Sequence, residues 1–187
     1  LKALIVPEQY HSNKIKIFKT SNKSYKCDGI ISTVPGIALG VLTADCCPIL
    51  IGHKKKKLAG VIHAGWRGVY NGILENFISK VTELNFKKSD LIFSLGPCIG
   101  KNSYEVNKMF RNSFLEKNPD TECFFEAKKN KNYFNFNLRG CIIDILKKKI
   151  FQTYGTLNQI RIGILKDILA IDILFIKDIR IMVECCL

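Results

Sequence analysis

No uninterrupted apolar run in the chain is long enough to cross a bilayer: the longest, near Ile162 to Ile176, is broken by Lys166, Asp167 and Asp172. A spanning helix needs about 20 mostly apolar residues, so a membrane span is excluded. No basic recognition module is visible either, although 29 Lys and Arg against 16 Asp and Glu leave a net charge of +13. The excess is scattered lysine among many Ile and Asn, as codon drift toward A and T produces, rather than a cluster that neutralises phosphates. Nucleic acid is therefore not an expected partner. No leader peptide and no internal repeat are seen, and adjacent cysteines such as Cys46-Cys47 are poor disulfide spacings. A reducing cytoplasm is the expected compartment for the eight cysteines. Three histidines and a single tryptophan complete the list of scarce residues.

Most of them fall together. Val41 to Gly68 reads VLTADCCPILIGHKKKKLAGVIHAGWRG and holds Cys46, Cys47, His53, His63 and Trp66 around four consecutive lysines. With 47% apolar residues in 187, the chain can bury a full core, and one domain over residues 1–187 is expected. Gly29 to Val34, Ala38 to Thr43, Pro48 to Gly52 and Leu58 to Ile62 are short, rich in Ile, Val and Leu, and bounded by Gly, Pro or charge, so they predict strands. Lys54 to Lys57 then forms a solvated hairpin turn with His53 exposed at its tip. Apolar spacings of three and four predict a helix over Val69 to Leu84. A strand at Leu91 to Leu95, a loop at Gly96 to Gly100, and helices at Ser103 to Leu115 and Leu138 to Phe151 follow. Glu116 to Asn132, rich in Lys and Asn, reads as a surface excursion. The expected class is α/β, a mixed sheet covered by helices.

Cys46 stands just before the first strand of the lysine hairpin and His63 just after the second. Antiparallel pairing returns both to the same sheet edge, far from the turn. His11 is the other candidate. Three chemistries fit the trio: a small buried thiol with structural histidines, a nucleophile with its base, or a three-ligand zinc with an open fourth position. Separations of 35 and 17 residues match no short zinc motif and leave all three open. Beyond His63, Gly65-Trp66-Arg67-Gly68 leads into a helix, where free N–H groups and the Arg67 guanidinium suit a phosphate. Trp66 stacks on a flat ring or caps the core.

Thr43-Ala44-Asp45-Cys46-Cys47-Pro48, His63-Ala64-Gly65-Trp66-Arg67-Gly68, Gly96-Pro97-Cys98-Ile99-Gly100 and Tyr104-Glu105-Val106, with Gln9-Tyr10-His11 and Cys27-Asp28-Gly29 upstream, resemble the YfiH family, also called the laccase-domain or multicopper polyphenol oxidoreductase family. The likeness runs from about Pro7 to Leu157. It implies an α+β fold, a mixed β-sheet sandwich covered by helices, and a zinc ion on His11, Cys46 and His63. Cys47, where the family carries an aliphatic residue, reads as core packing. The family is described as purine nucleoside phosphorylases that also deaminate adenosine and cleave methylthioadenosine. Three histidines suit zinc and a polarised water better than the His-rich sites of copper oxidases. Purine nucleosides and phosphate become the expected partners, with Arg67, Trp66 and Glu105 as substrate contacts. Cys46, His63 and Asp45 carry the chemistry, and Asp45 or Glu105 acts as proton carrier. The alternatives are a Cys–His amide hydrolase with a peptidoglycan-precursor editing role or an inactive fragment of the family, and the oligomeric state is left open.

Both ends depart from the resemblance. The chain starts shortly before the Gln-x-His block, without the family's opening segment, and its last residues lack the Ser-Tyr-Arg-Arg type ending. An A/T-rich back-translation of that tail reads in another frame as Tyr-Lys-Arg-Tyr-Lys-Asp-Asn-Gly-Arg-Met-Leu-Ser. A frameshift after Leu157 is the expectation, with 158–187 a non-native tail.

Overall fold

The computed structural model describes residues 2–19 and 24–150 in full, and the backbone alone of residues 151, 162–164, 171–176 and 179–185. Much of the segment expected to be frameshifted lies outside the described residues.

Strands β1 (Ala3–Ile5), β2 (Ile15–Ile17), β3 (Gly29–Ser32), β4 (Ile37–Thr43), β5 (Cys47–His53) and β6 (Ala59–Ala64) come first. Helices α1 (Trp66–Tyr70) and α2 (Ile73–Glu83), strands β7 (Leu91–Leu95) and β8 (Glu105–Asn107), and helix α3 (Lys108–Lys117) follow. Then come β9 (Phe125–Ala127), β10 (Tyr133–Phe136), α4 (Leu138–Phe151), β11 (Ile162–Ile164), β12 (Ile171–Ile176) and β13 (Ile179–Cys185). A six-stranded mixed sheet runs β11-β7-β5-β6-β3-β2, a four-stranded one β1-β4-β13-β12, and a small one β8-β10-β9. The expected class holds: two sheets pack face to face and helices cover the outer face of the larger.

Alternation along the strands builds both layers. Ile30, Leu50 and Val61 of the six-stranded sheet point to Leu39 and Val41 of β4, forming the core between the sheets. Their neighbours Ile31, Ile49, Ile51 and Ile62 point the other way, to Leu74, Phe77 and Val81 of α2 and to Ile142 and Leu146 of α4. Strands buried on both faces read as continuous apolar runs, which is why β3 to β6 were visible in the sequence.

Four expectations are corrected. The helix over Val69 to Leu84 is two, because Gly72 adopts φ +85° and turns the chain between α1 and α2; the apolar spacing of three and four continues across the break. The helix expected from Ser103 starts at Lys108, capped by the Asn107 side chain, which accepts from Phe110 N at 2.9 Å. The preceding Glu105–Asn107 is strand β8. The polar stretch from Glu116 to Asn132 is not a plain excursion: a 3₁₀ turn at Pro119–Phe124 and strand β9 set Phe124 and Phe125 against the helix-side core.

The fourth concerns His53, which is only 5% exposed. It closes β5 rather than riding on the turn, and its ring meets Phe86 edge-on at 5.3 Å. Its Nδ1 accepts from Lys55 N and Lys56 N at 3.1 and 3.0 Å, which gives the lysine turn its shape. His53→Ala removes that acceptor and should cost about 1–2 kcal/mol in denaturant unfolding while leaving bound metal unchanged. An unaltered midpoint would mean that water replaces the ring at no cost.

Candidate metal centre

The β5–β6 register pairs Cys47 with Ala64 and Pro48 with His63. His63, near the end of β6, and Cys46, immediately before β5, therefore meet at the edge away from the lysines. His11 joins them from the loop between β1 and β2, its ring 4.8 Å from that of His63 and roughly perpendicular to it. One ligand atom from each of His11, Cys46 and His63 lies within 4.8 Å of the others. Bonds of about 2.0–2.3 Å to imidazole nitrogen and thiolate sulfur imply donor separations of about 3.3–3.6 Å around a tetrahedral ion, so a small closure seats one. Two imidazoles and a thiol could hold a metal ion with a coordination position to spare.

Asp28 organises this centre. Its carboxylate is fully buried and accepts from His63 Nδ1 at 2.8 Å, His11 N at 3.0 Å, Tyr10 N at 3.2 Å, and both Ser12 N and Ser12 Oγ at 2.6 Å. Burial alone would raise its pKa, but the bonds from His63 and Ser12 outweigh that and hold it at about 2. An ionised carboxylate only accepts, so Nδ1 of His63 carries the hydrogen and Nε2 is left for a metal. Burial pushes the His63 ring down, yet its bonds to Asp28 and Cys46 prevail and lift it to about 9, so a metal on Nε2 would have to displace a proton from it. The same carboxylate holds His11 at φ +61°, a left-handed backbone that costs about 1 kcal/mol for a residue with a side chain. Gln9 fastens the loop from the other side: its Nε2 donates to Leu42 O at 2.7 Å, and its Oε1 accepts from Leu42 N at 2.8 Å.

A family model described as "Multi-copper polyphenol oxidoreductase laccase" matches residues 1–153. The chain belongs to this family. It is 35% identical over 136 residues to purine nucleoside phosphorylase RC0672 of Rickettsia conorii, covering 72% of this chain and 56% of that one. It is 32% identical over 109 residues to purine nucleoside phosphorylase YfiH of Escherichia coli, covering 58% and 44%. Among solved structures, Neisseria meningitidis NMB0706 superposes with a TM-score of 0.71 at 25% identity, covering 78% of this chain and 59% of that one. Bacillus licheniformis YfiH gives 0.71 at 19%, covering 87% and 63%. The chain spans about half the length of the curated relatives it matches. The resemblance read from the Cys46, His63 and Gly96 blocks is thereby established, and with it the fold.

The remaining family motifs surround the trio unevenly. Trp66 packs edge-on against Phe110 at 4.9 Å, with the Arg67 guanidinium 5.3 Å from its ring centre, so the indole lies against the core. Arg67 is exposed and close enough for its charge to help depress the His11 pKa, after burial and His63. The helix start expected to assist it is the five-residue α1, too short to concentrate a helix dipole, which leaves the exposed Arg67 guanidinium as the positive charge there. Asp45 is exposed, and its backbone carbonyl accepts from Ile99 N at 2.9 Å. Glu105 is exposed on the small sheet with its carboxylate paired to Lys128, and the structure does not bring it to the trio.

Of the residues quoted in motifs without a role, two stand beside the trio. One is Asp28. The other is Tyr104, half-buried against Phe136 at 5.6 Å, whose phenol is pushed up to about 12 by burial and by the neighbouring Cys46 and Asp45. Such a phenol keeps its proton at neutral pH. The signal in the sequence was an acid directly before β3 and an aromatic directly before β8, both unmarked by any spacing. The six cysteines whose side chains are described are free, and among the described residues no helix is long and apolar enough to cross a membrane.

Proposed function

We propose that the chain carries the metal-binding part of a zinc-dependent purine nucleoside phosphorylase, acting on adenosine, inosine and methylthioadenosine and deaminating adenosine. The observation that carries this reading is the His11–Cys46–His63 trio with Asp28 behind His63. Three protein donors and an open position are the pattern of a catalytic zinc. Relatives named purine nucleoside phosphorylase supply the substrate class. Zinc, when bound, contributes Lewis-acid polarisation of whatever occupies its free position.

The chain's own groups do the rest. Arg67 grips phosphate beside the trio and holds it for attack on the ribose anomeric carbon. The departing purine takes the electron pair of the glycosidic bond, and Tyr104, its phenol still protonated, donates a hydrogen bond to the ring nitrogen that accumulates that charge. Asp45, exposed beside Cys46, carries protons between this site and water. Trp66 walls the site and sets the Arg67 guanidinium above its ring.

His63→Ala is expected to lose bound zinc and phosphate-dependent release of base from adenosine and inosine together; full metal content with full cleavage would overturn the reading. Chelation should abolish activity and added zinc restore it. Activity that survives chelation but not thiol alkylation would belong instead to Cys46 as a nucleophile, since His63 stands beside it as a base. Copper on the same donors would declare itself as an intense visible thiolate-to-metal absorption.

A further inference from the structure

The two adjacent cysteines have separate fates. Cys46 belongs to the metal trio, while Cys47 lies fully buried in the helix-side core. Its thiol faces Pro48 O at 3.8 Å and lies beside Cys98, from the Gly96 to Gly100 loop, close enough for the two thiols to shift each other's ionisation. The β5–β7 ladder explains the encounter. Ile49 pairs with Leu95, and the bond from Gly96 N to Pro48 O at 2.9 Å carries the pairing one step further, bringing the loop alongside the start of β5. The loop is held beyond that by Ile99 N donating to Asp45 O at 2.9 Å.

Arg139, at the start of α4, reaches the same place. Its Nη2 donates to Gly96 O at 2.7 Å and lies 3.5 Å from Cys98 Sγ. Cys98 is partly exposed, unlike Cys47. A reactive cysteine needs a cation or donor beside the sulfur and a route for the electrophile; a resolving cysteine needs to be within reach and shielded. The donation from Cys47, opposed by burial and aided by Arg139, also holds the Cys98 thiol below its usual value.

We propose that Cys98 is a hydroperoxide-reactive thiol with Cys47 as its resolving partner, positioned by Arg139 and separate from the His11–Cys46–His63 trio. The Cys98 thiolate attacks a peroxide oxygen, the O–O bond breaks, sulfur is oxidised to sulfenic acid, and the other oxygen leaves as water or alcohol after taking a proton. The Cys47 sulfur then attacks Cys98 sulfur. An S–S bond forms as the S–O bond breaks, and hydroxide departs as water with the Cys47 proton. The peroxide supplies the oxidising equivalent for both steps. This reassigns Cys47, which the sequence presented as packing alone.

Brief hydrogen peroxide treatment of the purified, metal-loaded protein, followed by proteolysis and mass spectrometry, tests it without reference to activity. The expected product is a Cys47–Cys98 cross-linked peptide pair, lacking two hydrogens and cleaved by thiol reductant. Cys98→Ser should abolish it, and Cys47→Ser should stop at one added oxygen on Cys98, trapped by a cyclic dione. Arg139→Gln should slow Cys98 modification on the order of tenfold. Oxidation that falls first on the exposed Cys123 with Cys98 intact, a Cys98 sulfenic acid that never joins Cys47, or a native rate in the Arg139 variant would each overturn the assignment. The two serine variants keep the test decisive should Arg139→Gln fail to fold.

Discussion

Asp28→Asn is expected to lower metal affinity by about 10–100-fold and to destabilise the protein by about 1–3 kcal/mol. The change looks conservative in volume and is the opposite in hydrogen bonding. All five groups that face the carboxylate (His63 Nδ1, Ser12 Oγ, and the backbone nitrogens of Tyr10, His11 and Ser12) are donors. A carboxylate offers acceptors on both oxygens, whereas an amide turns one side into a donor. Whichever way Asn points, its NH₂ confronts either the Ser12 side or the His63 and His11 side, and a buried donor goes unsatisfied. The affinity loss follows from reach, since a single carboxylate orients the His63 ring and fixes the left-handed His11 backbone. Competition against a colorimetric chelator measures the first effect and denaturant unfolding the second. Metal affinity equal to that of the native chain would remove Asp28 from the site and leave it as loop structure.

That centrality explains how unevenly the sequence disclosed the site. Cys46 and His63 could be brought together from pattern alone, because β5 and β6 are continuous apolar runs around a lysine turn, and antiparallel geometry does the rest. His11 could not. It sits in an irregular loop, and what places it is not periodicity but the Asp28 carboxylate and the Gln9 clasp on Leu42. It was a candidate only as one of three histidines, and the family resemblance was what implied it as a ligand. Asp28 itself was hidden because three of its five partners are backbone N–H groups, which leave no trace in residue identity. His53 misled for a related reason: a histidine next to four lysines reads as solvated, but it is the turn's acceptor. The three-residue strands β1, β2, β8 and β9 fall below the length at which alternation can be read, and the phenylalanines that bury the β9 region are diluted by lysine and asparagine.

Gly65→Ala should separate metal binding from stability. Gly65 has φ −76° and ψ 164°, an extended conformation open to any residue, so alanine brings no backbone strain. As the N-cap of α1 it costs a few tenths to about 1 kcal/mol. The added Cβ, however, would stand 2.7 Å from Cys46 Sγ and 3.1 Å from His11 Cδ2, so that sulfur or imidazole must leave its place. Both belong to the candidate donor set, and displacing either one opens the trio. Zinc content should therefore fall severalfold or more in a protein that still melts close to the native temperature. Gly60, on the same strand β6, gives the converse. A Cβ there meets Phe77 Cζ at 2.3 Å in the helix-side core, so Gly60→Ala overpacks α2 against the sheet at about 1–3 kcal/mol without touching the donors. Full metal content in the Gly65 variant would mean that Cys46 or His11 is not a ligand. Loss of metal in proportion to stability in both variants would mean that the trio is no more than a reporter of global folding.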